Sequence, residues 1–221
     1  MTVTVEACVT TLDEAVASVE AGADRLELCA DLEVGGLTPP VELVRAVVEA
    51  VDVPVLVMVR PRAGDFVVTR ADVDTMERSA DALLEAGAHG IVCGALTPAG
   101  QVDFEAVRAL AGAAGGRDVT FHRAIDEVLG SRTPQSAPYG ELLCGLADAG
   151  VTRILTGGGP GRAIDQTASL RRLRSEAPNG LTVLAAGGIR SDHARSLVGR
   201  TGVGEVHARA LAIPDLVRAL R

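Results

Sequence analysis

The chain contains no lysine: its 21 basic residues apart from histidine are all arginine. Without an ε-amine no Schiff base can form, which excludes lysine-dependent aldolase and pyridoxal phosphate chemistry. Aromatic residues make up only 2% of the sequence, too few for the stacking platforms that hold bases or sugars. No apolar run reaches the length of a membrane span, and the N-terminus enters an apolar strand directly, without a signal-peptide layout. Of the 4 cysteines, at 8, 29, 93 and 144, none forms a CxxC pair, so reduced thiols in a cytoplasmic protein are expected. Positive charge is also in deficit. A net charge of −8 and a pI near 5.0 argue against nucleic-acid and anionic-membrane partners. No linker or low-complexity stretch breaks the 221 residues, so a single domain over 1–221 is expected; GSRTPQSAPYG (130–140) reads as a polar loop.

What the chain does have is a repeat. EAGADRLELC (20–29) is echoed by EAGAHGIVCG (85–94), DAGVTRILTG (148–157) and TGVGEVHARA (201–210). In each copy an Ala-rich amphipathic stretch stops at a glycine, as a left-handed helix C-terminus requires, and an apolar strand follows. Between the echoes lie TVTVEAC, VPVLVMVRPR, DVTFHRAID and LTVLAAGGI, all β-branched or apolar runs. The pattern predicts strands at 3–8, 25–30, 53–60, 90–95, 118–123, 152–157, 181–186 and 204–208. Helices are predicted at 11–21, 39–51, 70–86, 102–114, 140–149, 165–176 and 191–199, with a short one after Pro214. Eight strands alternating with helices in four even repeats point to a (β/α)8 TIM-like barrel of α/β class. An open doubly wound sheet would carry a Gly-rich dinucleotide fingerprint after its first strand, and none is present.

Strand parity locates a candidate site. Alternate residues of a barrel strand face the lumen, and the carboxyl ends form the active face. Val3, Val5 and Ala7 make the outward apolar series of strand one, leaving Glu6 and Cys8 inward. The same reasoning turns Glu27 and Cys29, then Arg60 and Arg62, then His122 into the barrel. Two carboxylates, a guanidinium and an imidazole are costly to bury together unless they pair or bind something. Either they form an ion-pair network that plugs the barrel, or they form a site.

As a site, Glu6, Glu27, Arg60, His122 and Asp126 are the catalytic candidates. His122 is read as a general base or metal ligand whose second nitrogen a glutamate orients, or else as a satisfied core histidine. Asp126 and Asp65 are expected on loops over the mouth, and the parity of His207 is open. Arg62 and the glycine clusters TGGGPG (156–161) and AGGIRS (186–191) are anion-binding candidates, through Gly158, Gly159, Gly187 and Gly188. The same glycines could simply make tight turns.

RLELC, GGLTPP, RPRAGDF, the GALT and VD pair, TFHRAID, ILTGGG and the strand holding His207 resemble the CutC family in order and spacing, over nearly the whole chain. That resemblance implies a TIM-like barrel and a cytoplasmic role in copper homeostasis, with Cys8 and Cys29 as copper ligands. The chain departs from the family pattern at Ile125, where Phe is usual, at AAGG (185–188) and at the residue after His207. Two readings stand beside each other. One is a copper-binding homeostasis protein; the other is an enzyme acting on a small anionic substrate, phosphorylated or not, through His122 and Glu27, with Arg60 as the clamp. An assembly of identical chains is expected.

Overall fold

The computed structural model describes residues 2–131 and 139–221; most of the expected polar loop at 130–140 lies outside the described residues. Eight parallel strands pair in sequence order and close through the first and last: β1 (Thr4–Val9), β2 (Arg25–Leu28), β3 (Val55–Met58), β4 (Gly90–Cys93), β5 (Asp118–Phe121), β6 (Arg153–Thr156), β7 (Thr182–Ala185) and β8 (Glu205–Arg209). Around them run α1 (Leu12–Glu20), α2 (Val41–Ala50), α3 (Arg70–Glu85), α4 (Phe104–Ala113), α5 (Ala124–Gly130), α6 (Gly140–Asp148), α7 (Thr167–Glu176), α8 (Ala194–Thr201) and α9 (Ile213–Leu220). This is the expected TIM-like barrel.

The helices start and stop where side chains settle their free backbone groups. Thr11 accepts from the Glu14 amide at the head of α1, and Asp103 accepts from Ala106 at the head of α4. Thr69 and Asp72 form a reciprocal capping box on α3. Gly22 and Gly87 end α1 and α3 at φ +96° and +103°, which a side chain would resist.

The main core lies between strands and helices. Val5, Ala7, Leu26, Leu28, Val55, Val57, Ile91, Phe121 and Ile154 face outward and are buried against Val44, Val47, Leu83, Leu110, Leu143 and Leu170. The expected parity therefore holds, and the opposite residues fill the lumen. Its upper part holds two small apolar clusters, Cys8–Cys29–Leu56–Met58–Val92 and Leu155–Leu184–Ala186.

One element departs from expectation. The segment after β5 is a helix, α5, and not a loop. Ala124, Ile125, Val128 and Leu129 recur at helical spacing and are all buried, a pattern masked in sequence by the polar Arg123, Asp126 and Glu127. Asp126 consequently points inward from a helix.

Candidate functional site

The lumen is layered, and the strand register sets the layers. Glu6 stands opposite Arg25 on β2 and opposite His207 on β8. At this floor Arg25 binds both Glu6 and Glu205. Arg153 binds Glu205 at 3.0 Å and reaches Asp118 at 3.5 Å. Each of these charges has an opposite neighbour, so an ion-pair network fills the lower layer, built on Arg25, Arg153, Asp118 and Glu205 with Glu6 as the one member drawn from the four candidates Glu6, Glu27, Arg60 and His122. Glu6 is its top member: burial alone would raise its carboxyl, but His207 and Arg25 together hold it at about 2.

Above the floor a cavity of about 960 Å³ opens at the carboxyl ends of the strands. Glu27, His207, His122, Cys8 and Arg123 line it, with Gly187 and Gly188 at the rim. Residue 27 is 3% exposed. Its Oε1 accepts from the Cys8 thiol at 3.6 Å, while its Oε2 has no hydrogen-bond partner among the described residues. Burial raises the Glu27 carboxyl above its ordinary range. His207 is joined to Glu6, its Nδ1 lying 2.8 Å from Oε1. Donation from Nδ1 fixes the ring and leaves Nε2 free to exchange a proton. Burial would lower His207, but the charges of Glu27 and Glu6 and the hydrogen bond to Glu6 outweigh it and raise it. Ligand atoms of Glu6, Glu27 and His207 all lie within 4.8 Å of one another.

His122 takes a different part from the one expected. Its Nδ1 accepts from the Ala124 amide at 3.2 Å, so no glutamate orients it. With Nδ1 accepting, the ring proton sits on Nε2, which is buried in a cavity-lining residue and has no partner among the described residues. Burial and the positive charge of Arg60 lower the imidazole to about 3. A neutral ring whose free nitrogen carries the proton is placed to act as a hydrogen-bond donor. Gly94 makes room for it: a Cβ there would lie 2.2 Å from the ring.

Arg60 is not a clamp in this arrangement. Its guanidinium donates to the carbonyls of Val34, Gly36 and Gly64 at 3.0, 3.1 and 2.8 Å and stacks over Phe66. It fastens the loops after β2 and β3 to each other through these carbonyls. Arg62 is exposed, pairs with Asp65 at 3.1 Å and lies away from the cavity lining.

The glycine loop after β6 is also occupied from within. Asp126 Oδ1 accepts from Thr156 Oγ1 and from the Gly157 and Gly159 amides, the latter two at 3.1 Å. The Gly158 amide donates to Thr156. Gly158 and Gly159 are therefore not free for a ligand anion. By contrast, the amides of Gly187 and Gly188, after β7, donate to no group among the described residues. Beside them stands Arg123, whose Nε binds Asp126 at 2.6 Å. Its basic charge went unweighed in the sequence, although it follows His122 directly in TFHRAID.

Cys8 and Cys29 come together, with sulfurs 3.8 Å apart and both residues buried. The hydrogen bond to Cys29, burial and the Glu27 charge raise the Cys8 thiol well above its ordinary value. Cys8, Cys29 and Glu27 form a second cluster whose ligand atoms lie within 4.8 Å of one another.

Comparison with known proteins places this site in context. The model of the CutC family matches residues 3–212. A CutC family protein of Rhizobium meliloti is 41% identical over 206 residues, spanning 93% of this chain and 80% of that protein. One from Pasteurella multocida is 38% identical over 203 residues, spanning 92% and 80%. Among solved structures, a CutC of Streptococcus agalactiae, provisionally named for copper homeostasis, superimposes with a TM-score of 0.84 at 27% identity, covering 94% of this chain and 98% of that one.

Proposed function

The chain belongs to the CutC family, and on that premise we propose that its barrel mouth binds a small anionic molecule and moves protons on it. One observation carries the reading. Two buried polar atoms, Glu27 Oε2 and His122 Nε2, have no hydrogen-bond partner among the described residues, and both belong to residues that line one cavity. Unsatisfied buried groups are rare and costly, on the order of 1–3 kcal/mol each. A ligand that completes both would offset that cost.

The roles follow from the charges. Glu27, lifted by burial above the ordinary carboxylate range, is the group that takes or returns a proton. His207, fixed by Glu6, is its counterpart and exchanges a proton at Nε2. His122 donates from Nε2 to a ligand oxygen, stabilising negative charge that develops there. Gly187, Gly188 and Arg123 hold the anionic end. The reaction class is proton transfer beside a carbonyl or hydroxyl oxygen.

A second reading rests on the two sulfurs. Two sulfurs bound about 2.3 Å from one ion at a tetrahedral angle would stand about 3.8 Å apart, which is the separation of Cys8 and Cys29. Soft thiolates suit Cu(I), so these residues fit copper as cargo, with the Glu27 carboxylate beside them. Capture would have to displace both thiol protons, against the raised value at Cys8. Free, buried Cys8, Cys29 and Cys93 suit a reducing cytoplasmic setting.

Thermal melts of the wild type and of Glu27→Gln, with and without small anions, test the first reading. We expect stabilisation of the wild type by a small anion and a variant that folds but loses most of that response. A wild type indifferent to every small anion would remove the reading.

A further inference from the structure

We propose that Asp126 is a specificity residue: it fills the strand-six anion cradle with the protein's own carboxylate, so that the mouth selects a monocarboxylate, bound by Arg123, Gly187 and Gly188, over a phosphate. The inference rests on the small-anion reading above and names its substrate class.

Barrels frequently hold phosphates in the loops after strands seven and eight, through free backbone amides. Here the glycine loop one strand earlier, after β6, has a similar form, with Gly158 and Gly159 at φ +85° and +128°. Yet its Gly158 amide points at Thr156 and its Gly157 and Gly159 amides at the Asp126 carboxylate. That carboxylate is 5% exposed and takes the hydroxyl of Thr156, the Gly157 and Gly159 amides, and the Arg123 Nε. It occupies the place and the donors that a phosphate would need.

The remaining donors suit a smaller charge. Arg123 has Nε engaged, while Nη1 and Nη2 make no hydrogen bond among the described residues. They lie beside the two glycine loops: Nη2 is 3.2 Å from where a Cβ on Gly157 would stand, and Nη1 is 3.7 Å from one on Gly187. Two parallel N–H groups match a planar carboxylate. The Gly187 and Gly188 amides add two more unengaged donors.

The test uses glycolate and inorganic phosphate as probes. In the wild type, followed by amide NMR, glycolate should shift the Gly187 and Gly188 resonances. Phosphate should leave Gly157 and Gly159 unmoved. By calorimetry, Arg123→Ala should weaken glycolate binding by about tenfold or more, the loss of a charge-assisted pair. Asp126→Ala should gain phosphate binding by a similar factor, because the cradle is vacated. Phosphate engaging the Gly157 and Gly159 amides of the wild type would overturn this inference while leaving the small-anion reading intact. If glycolate does not bind the wild type, this inference falls, and the small-anion reading is judged by the melts with other anions. The wild-type NMR result stands whether or not Asp126→Ala folds.

Discussion

Replacing His122 by glutamine probes whether the imidazole is held neutral. Burial and Arg60 lower it from 6.5 to about 3. Over that interval the unfolded chain binds a proton that the folded chain does not. His122 therefore removes stability as pH falls from 6.5 towards 3. The whole gap corresponds to about 5 kcal/mol, and the part above pH 4.5 to about 3 kcal/mol. Three other groups titrate nearby. The Glu6 carboxylate, held at about 2, contributes stability that is lost only as pH falls below 4.5. Glu27, raised by burial, works in the opposite sense, losing stability as pH rises above 4.5. His207, raised by Glu27 and Glu6, contributes stability that is lost as pH rises above 6.5. All three are common to the wild type and the variant and cancel in the difference. Glutamine can still accept from the Ala124 amide but does not titrate. Urea melts between pH 4.5 and 7 should therefore show the variant gaining on the wild type by about 3 kcal/mol towards the acid end. Parallel pH profiles would refute the neutral, buried ring. A gap that opens the other way would mean that a carboxylate holds the ring charged.

Gly94→Ala should destabilise by about 1–3 kcal/mol, as overpacking does, because its Cβ would fall 2.2 Å from the His122 ring; an unchanged denaturation midpoint would place the ring elsewhere. For copper, anaerobic Cu(I) titration should show tight binding in the wild type and in Cys93→Ser, and its loss in Cys8→Ser and Cys29→Ser. Equal affinity in all four would remove the thiolate site.

The barrel was legible because its signals are local and repeated. Helix, glycine stop and apolar strand recur four times, and strand alternation alone turned Glu6, Glu27 and His122 inward. What side chains do beyond the strand ends was not legible. Arg60 and His122 follow their strands by one or two residues, where parity gives a direction but not a partner. Arg60 has the reach to find three loop carbonyls, and His122 finds the amide at the head of α5, a helix hidden by its polar residues. Split roles for the two glutamates were also out of reach, since Glu6 pairs with Arg25 while Glu27 stays unpaired. That difference depends on register across β1, β2 and β8. His207 joins the site for the same reason, the partner across strands deciding what its own strand left open.

Calorimetric titration of glycolate into the wild type and Glu27→Gln, repeated near neutral pH in buffers of differing ionisation enthalpy, tests the central claim most directly. Anion binding beside Glu27 favours its protonated form, so the wild type should take up a fraction of a proton that varies with pH, and Glu27→Gln should take up markedly less. Binding with no proton uptake at any pH, or with the same uptake in the variant, would contradict the assignment of Glu27 as the proton-transferring group.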